Sequence, residues 1–179
     1  MILVIGGPPG SGKTTVAERW AATHRYVLVS AGTRFRAMAK EQGMSLEEFG
    51  KAAENDPSID RALDRAILDE IRRLQAAGKN VVVDGRIQAY LLAKENIPSM
   101  KVLIDAPLDV RGERIARREK KSVEASKREI LARETSERIR YKRIYGIDLQ
   151  DTRVFDLVVD SAKMTPDGIV AQIASRVGG

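Results

Sequence analysis

Ile2-Leu3-Val4-Ile5-Gly6-Gly7-Pro8-Pro9-Gly10-Ser11-Gly12-Lys13-Thr14 is a short apolar run that breaks into glycines and prolines and resumes as a helix at Lys13. Gly7 to Thr14 fits G-x-x-x-x-G-K-[ST], with the preceding strand and following helix that this pattern requires. Glycines let successive backbone N–H groups turn inward around phosphate oxygens. The helix that follows adds the positive end of its dipole. In that cradle Lys13 brings a positive charge to β- and γ-phosphates, and Thr14 brings a hydroxyl ligand for Mg²⁺. The bland alternative is a glycine-rich turn with no ligand, and the strand–loop–helix context argues against it.

Outward from this loop, short apolar runs alternate with amphipathic helices, as in a parallel sheet wrapped by helices. Candidate strands are Ile2–Ile5, Tyr26–Val29, Val81–Val83, Val102–Ile104 and Val154–Val159. They are continuously apolar, as expected of strands buried on both faces. Lys13–Thr23 is predicted helical with Val16, Ala17, Trp20 and Ala21 on one face. Pro57–Ala77 repeats Ile59, Leu63, Ile67, Ile71 and Leu74 at helical spacing. Thr165-Pro166 opens a last helix with a capping hydroxyl and an N1 proline, and Gly178 is placed to end it. The expectation is one α/β domain over 1–179. Two stretches exceed a simple crossover: about 31–80 after the second strand, and the basic region about 111–146. In the latter, Val123, Ile130, Leu131, Ile139 and Ile144 form a thin apolar stripe, so that helix is either bathed in solvent or faces a polar cleft.

Composition narrows the function classes. There is no cysteine, so disulfides and thiolate metal sites are excluded. Between Arg111 and Arg143 lie nine Arg and four Lys against six acidic residues, so the whole net charge of +6 resides there. That segment either meets a polyanion or is a solvated helical face. Aromatic residues make up only 4%, which argues against stacking platforms for single-stranded nucleic acid. The apolar run at Met1–Ile5 is too short for a signal peptide or a membrane span, and a cytoplasmic location is expected.

Val81-Val82-Val83-Asp84 ends an apolar strand in a carboxylate, which a parallel sheet can set beside the glycine loop to hold Mg²⁺ or the ion's waters. The structural alternative for Asp84 is a helix cap. Arginines are the natural partners for two anionic phosphates brought together, because the guanidinium fork pairs bidentately. Candidates are Arg36, Arg86, Arg114, Arg117, Arg118, Arg133, Arg138 and Arg140, and position alone does not separate clamps from surface charges. His24 reads as a surface or capping residue, Trp20 as core, and Tyr141 with Tyr145 as a packed pair.

GPPGSGKTT (Gly7–Thr15), SAGTRFR (Ser30–Arg36), MSLEEFGKAAENDPSID (Met44–Asp60), VVDGR (Val82–Arg86) and ARETSERIRYKRIYGID (Ala132–Asp148) together resemble the nucleoside monophosphate kinases, and most closely the archaeal-type cytidylate kinases. The resemblance covers nearly the whole chain. It implies a P-loop kinase fold: a five-stranded parallel sheet flanked by helices, with a monophosphate-binding insertion and a lid. It implies ATP binding by Gly7, Pro8, Pro9, Gly10, Ser11, Gly12, Lys13, Thr14 and Thr15. By the same resemblance Arg114 lies over adenine and Arg118 reaches the ATP phosphates from the lid. Ser30, Gly32, Arg36 and Arg86 border the acceptor and grip its phosphate, while Arg133, Glu137 and Arg140 meet the reacting phosphates and the acceptor sugar. Lys13, Arg86, Arg133 and Arg140 are thus the expected catalytic set, with Thr14 and Asp84 at the metal.

Two stretches depart from such relatives. Thr33-Arg34 stands where an acidic and an apolar residue are usual, and Ile87-Gln88-Ala89-Tyr90 replaces Leu-Ala-Gly-Trp. Both border the expected acceptor pocket, which an inward Tyr90 would narrow against purines. The implied reaction is Mg·ATP-dependent phosphorylation of CMP or dCMP by a monomeric enzyme with no nucleic-acid or membrane partner. Open alternatives are an AMP, UMP or other small-molecule kinase, and a nucleic-acid-binding ATPase that uses the basic segment.

Overall fold

The computed structural model describes residues 1–177, so Gly178 and its expected helix-ending role lie outside the described residues. Five strands form one parallel sheet: β1 (Ile2–Gly6), β2 (Val27–Ser30), β3 (Val81–Gly85), β4 (Met100–Asp105) and β5 (Leu157–Asp160), in the order β2-β3-β1-β4-β5. The helices are α1 (Lys13–His24), α2 (Ala31–Glu41), α3 (Leu46–Asn55), α4 (Pro57–Ala76), α5 (Gln88–Lys94), α6 (Leu108–Glu119), α7 (Val123–Tyr145) and α8 (Pro166–Val177).

For the inner strands β1 and β3 the continuous apolar runs are explained by cores on both faces, whereas Val27 of β2 and Val158 of β5, at the two sheet edges, are exposed although their runs read as buried. Leu3, Ile5, Val82, Val102 and Ile104 pack with Val16, Ala17 and Trp20 of α1 and with Ile169 and Ile173 of α8. Ile2, Val4, Val81 and Val83 point the other way, onto Leu63, Ile67 and Ile71 of α4 and Leu92 of α5. Alternate side chains of a strand face opposite sides, so a strand covered twice must be apolar at every position. Each such fully buried Ile or Leu contributes about 1.5–3 kcal/mol.

Local chemistry sets the helix ends. Ser45 accepts from Glu48 N while Glu48 accepts from Ser45 N, a reciprocal box that starts α3. Asp56 accepts from Ser58 N ahead of Pro57 at the first position of α4. Thr165 Oγ1 accepts from Gly168 N at the start of α8, as expected from its hydroxyl.

The last strand is shorter than expected. Thr152–Val154 forms a single 3₁₀ turn, because Asp151 accepts from Arg153 N. The Asp156 carboxylate then accepts from Lys101 N at 2.7 Å, and extended pairing begins only at Leu157. The long stretch after β2 is three helices, α2 to α4, and the basic stretch folds as the α6–α7 hairpin. The apolar stripe expected on α7 does not exist as such. Leu131 and Ile139 are exposed, and the buried positions are Ser126, Ile130, Glu137, Arg140 and Tyr141. This helix turns a polar face inward, towards a polar cleft.

Candidate active site

Parallel register puts Ile5 beside Asp84 and Asp84 beside Ser30, so the carboxyl ends of β1, β2 and β3 converge under the glycine loop. Two glycines there are required by close approach. A Cβ on Gly7 would overlap Ile104 O, and one on Gly10 would stand 2.8 Å from Arg111 O, each at positive φ. The loop therefore rests on the ends of β4 and α6 with no room for a side chain.

Asp84 joins two elements. Its Oδ2 accepts from Thr14 Oγ1 at 2.9 Å and from Ser30 Oγ at 3.0 Å. Ser30 Oγ also accepts from Thr33 N, capping α2. Oδ1 of Asp84 is buried without a hydrogen-bond partner among the described residues, as is Ser11 Oγ inside the loop. A buried carboxylate oxygen without a partner is costly, and a hard cation or its water would satisfy it. With the Thr14 hydroxyl adjacent, these all-oxygen donors fit Mg²⁺ held by one carboxylate plus phosphate oxygens.

Lys13 Nζ donates to Pro8 O at 3.4 Å. Burial pushes its ammonium down to about 8, against the opposing pull of Asp84. A phosphate arriving at this position would raise it again.

The guanidinium groups fall into distinct environments. Arg86, just past β3, donates Nε to Glu137 at 3.1 Å. Arg133 donates to the other oxygen of Glu137 at 2.8 Å, with its side chain 59% exposed. Burial raises the Glu137 carboxyl, but Arg133 and Arg86 outweigh it and hold the group below its ordinary value. Arg140 is engaged elsewhere. It pairs bidentately with Asp60 of α4, at 2.8 and 3.2 Å, and donates to Ser136. Arg114 donates to Gly10 O, Ser11 O and Ser161, running along the outside of the loop. Arg36 is exposed and bonded to Thr33, with its Nη1 3.5 Å from where a Cβ on Gly32 would lie. Arg118 pairs with Glu119 at the surface, and Thr15 is exposed.

Sequence reading missed several members of this array. Arg111 is buried and donates to Pro9 O and Glu134, and Ser161 Oγ donates to Ser11 O, so both brace the loop from outside. Asp60 and Asp64 are buried polar groups inside a helical stretch that reads as amphipathic, and Gln88 is buried at the start of α5. The available signal was their position, since Asp60 and Asp64 fall on the same face of α4 as Leu63 and Ile67. Tyr90 is held by its neighbours: its hydroxyl donates to Leu149 O and its ring stands edge-on to Phe155. His24, half-buried at the last position of α1, stacks on Trp20 at 3.8 Å.

Asp64 offers a test of this buried polar layer. Its oxygens accept from Gln88 Nε2 (3.1 Å) and Tyr145 OH (2.7 Å), and burial pushes it up to about 7. An acid whose folded pKa is raised keeps its proton after the unfolded chain has lost it. Stability from this group therefore falls as pH rises from about 4 to about 7, then stays low. Asp64→Asn should remove that slope. Denaturant unfolding at pH 5 and pH 8 is expected to show the variant gaining about 3 kcal/mol on the wild type between them. Parallel pH profiles would show that Asp64 ionises normally.

Comparison with known proteins matches this geometry. The sequence model of the cytidylate kinase-like family covers residues 2–163. The chain is 42% identical to the cytidylate kinase of Methanocaldococcus jannaschii over 99% of this chain and 97% of that one. It is 40% identical to that of Pyrococcus furiosus over 99% and 88%. Among solved structures it is similar to an uncharacterized protein of Eubacterium ventriosum, with a TM-score of 0.75 and 18% identity over 100% and 99% of the two chains. It is also similar to shikimate kinase from Aquifex aeolicus, with a TM-score of 0.56 and 17% identity over 100% and 97%. The sheet order, the phosphate loop over Asp84 and this full-length similarity lead to one assignment: the chain belongs to the cytidylate kinase-like family.

Proposed function

We propose that this chain transfers the γ-phosphoryl group of Mg·ATP to CMP or dCMP, by in-line displacement without a covalent intermediate. The observation that carries the reading is the end of β3, where Asp84 faces the phosphate loop and Arg86, two residues on, faces the α7 cleft. One strand end thereby sets a donor site against an acceptor site. Relatives named as cytidylate kinases over nearly the full chain support the choice of acceptor.

In this reading the loop backbone and Lys13 hold the β- and γ-phosphates, and Thr14 with Asp84 would hold Mg²⁺, which would supply charge neutralisation of the phosphates when bound. Arg86 takes the acceptor phosphate, and Arg133 stands ready at the exposed side of Glu137. Arg36, on the second turn of α2, would add a further cation to the acceptor phosphate. Catalysis is then chiefly positioning and charge stabilisation. A backbone-tracking basic stripe for nucleic acid is not favoured, because Arg111, Arg133 and Arg140 are already paired with Glu134, Glu137 and Asp60. No helix among the described residues is long and apolar enough to cross a membrane.

An ADP-release assay with ATP against the common ribo- and deoxyribonucleoside monophosphates tests the proposal. CMP or dCMP should exceed AMP, GMP and UMP in kcat/KM by about tenfold or more. A site that hydrogen-bonds the exocyclic amine of cytosine leaves its own polar groups unpaired on uracil. AMP or UMP in the lead would remove the cytidylate reading. No phosphorylation of any monophosphate would remove the nucleoside monophosphate kinase reading with it.

A further inference from the structure

Glu134 stands between two guanidinium groups. Its Oε1 lies 3.0 Å from Nη1 of Arg111 and 3.8 Å from Nη2 of Arg86. Arg111 is an anchored cation. Its Nε donates to Ala106 O at 2.9 Å and its Nη1 to Pro9 O at 3.2 Å, with only 9% of the side chain exposed. Its backbone is fixed as well, since Gly10 packs directly against it. Arg86, by contrast, is held through Nε on Glu137, and its closest approach to Glu134 is too long for a hydrogen bond.

We infer that Arg111 is a positioning residue that draws Glu134 away from Arg86 and so keeps the Nη groups of Arg86 available to an acceptor phosphate. The inference rests on the assignment of Arg86 to the acceptor made above. A carboxylate with two cations in reach settles on the one that is better placed. Without the charge of Arg111, the cation left beside Glu134 is Arg86, whose Nε Glu137 already occupies. A carboxylate drawn onto Nη2 competes with the phosphate for that nitrogen, which both forked edges of a guanidinium share. The same contact to Pro9 lies in the donor loop, so one side chain conditions both substrates.

The test is acceptor KM at saturating ATP for Arg111→Met, in the presence of Glu134 and in the Glu134→Gln background. With Glu134 charged, Arg111→Met should raise acceptor KM about tenfold, the scale of one charge-assisted hydrogen bond, with a smaller change in kcat. In the double variant Arg111→Met/Glu134→Gln, where the carboxylate has become a neutral amide, acceptor KM should equal that of Glu134→Gln alone. KM for ATP should rise alike in both backgrounds, since the contact to Pro9 is lost in each. If Arg111→Met does not fold, as thermal melting will show, Arg111→Gln, which removes the charge but keeps a polar side chain, carries the same comparison. Equal acceptor effects in both backgrounds, or none in either, overturn the inference. Arg86→Ala separates the two levels. If it leaves acceptor KM intact, the assignment of Arg86 fails. If it loses the acceptor while the Arg111 effect ignores Glu134, only the positioning role fails.

Discussion

Lys13→Ala lowers kcat by at least about a thousandfold, the scale of removing a positive clamp at a transferring phosphoryl group. The fold should survive, because Lys13 contacts Pro8 O and the charges around the cleft and takes no part in either apolar core. Removing it even relieves a partly buried, desolvated cation, so the melting temperature should hold or rise. The charge on Lys13 adds a second readout. With its ammonium at about 8 in the free protein, affinity for ATP should weaken as pH rises through that value, since phosphate prefers the protonated form. Lys13→Ala should flatten that profile. Coupled ADP release and titration of a non-hydrolysable ATP analogue, from about pH 6.5 to about pH 9, measure both. Near-normal turnover in the variant would remove the loop lysine from the chemistry.

Arg86→Ala cuts kcat/KM for the acceptor by about 2–4 kcal/mol, roughly thirty- to a thousandfold, while ATP affinity changes far less. The split follows from position. Arg86 is turned towards Glu137 and α7, whereas the donor loop is braced by Arg111, Arg114 and Ser161. Glu137 keeps Arg133 as a partner, so the variant does not strand a buried carboxylate. Initial rates over a grid of both substrates, with analogue titration alongside, give the two numbers. Equal loss of donor and acceptor binding would mean that Arg86 supports the loop instead.

What could be read from residues alone followed from how local each signal is. The phosphate loop is a contiguous run whose glycines, lysine and threonine are needed in order, and the structure places them together at the end of β1. Doubly covered strands announce themselves by unbroken apolar runs, as Val81–Val83 and Ile2–Ile5 do. The arginines were not separable. Arg133 and Arg140 lie in one helix, yet one is mostly exposed beside Glu137 and the other is buried on Asp60. Which of them meets a carboxylate of another helix depends on the packing of α7 against α4, and no stretch of α7 encodes that distance. The apolar pattern of α7 misled for the same reason, since its buried face includes Glu137, Arg140 and Tyr141. Asp156 shows a smaller case. Its pairing with Lys101 N helps delay β5 to Leu157 within a run that reads as extended from Val154.

The position of β1 in the sheet bears on how the chain is made. The strand lies in the middle, with β3 on one side and β4 on the other, and neither neighbour is close to it in sequence. During synthesis Ile2–Gly6 therefore leaves the ribosome with no strand to pair with until Val81–Gly85 has followed it, a delay on the order of several seconds. α1 can form and cover one side of this apolar segment early, through Val16 and Trp20, but its sheet hydrogen bonds must wait. Parallel pairing across such separations makes a slow nucleus. The element that carries the phosphate loop is thus translated ahead of both its sheet neighbours, and its edges wait for Val81–Gly85 and then for Met100–Asp105.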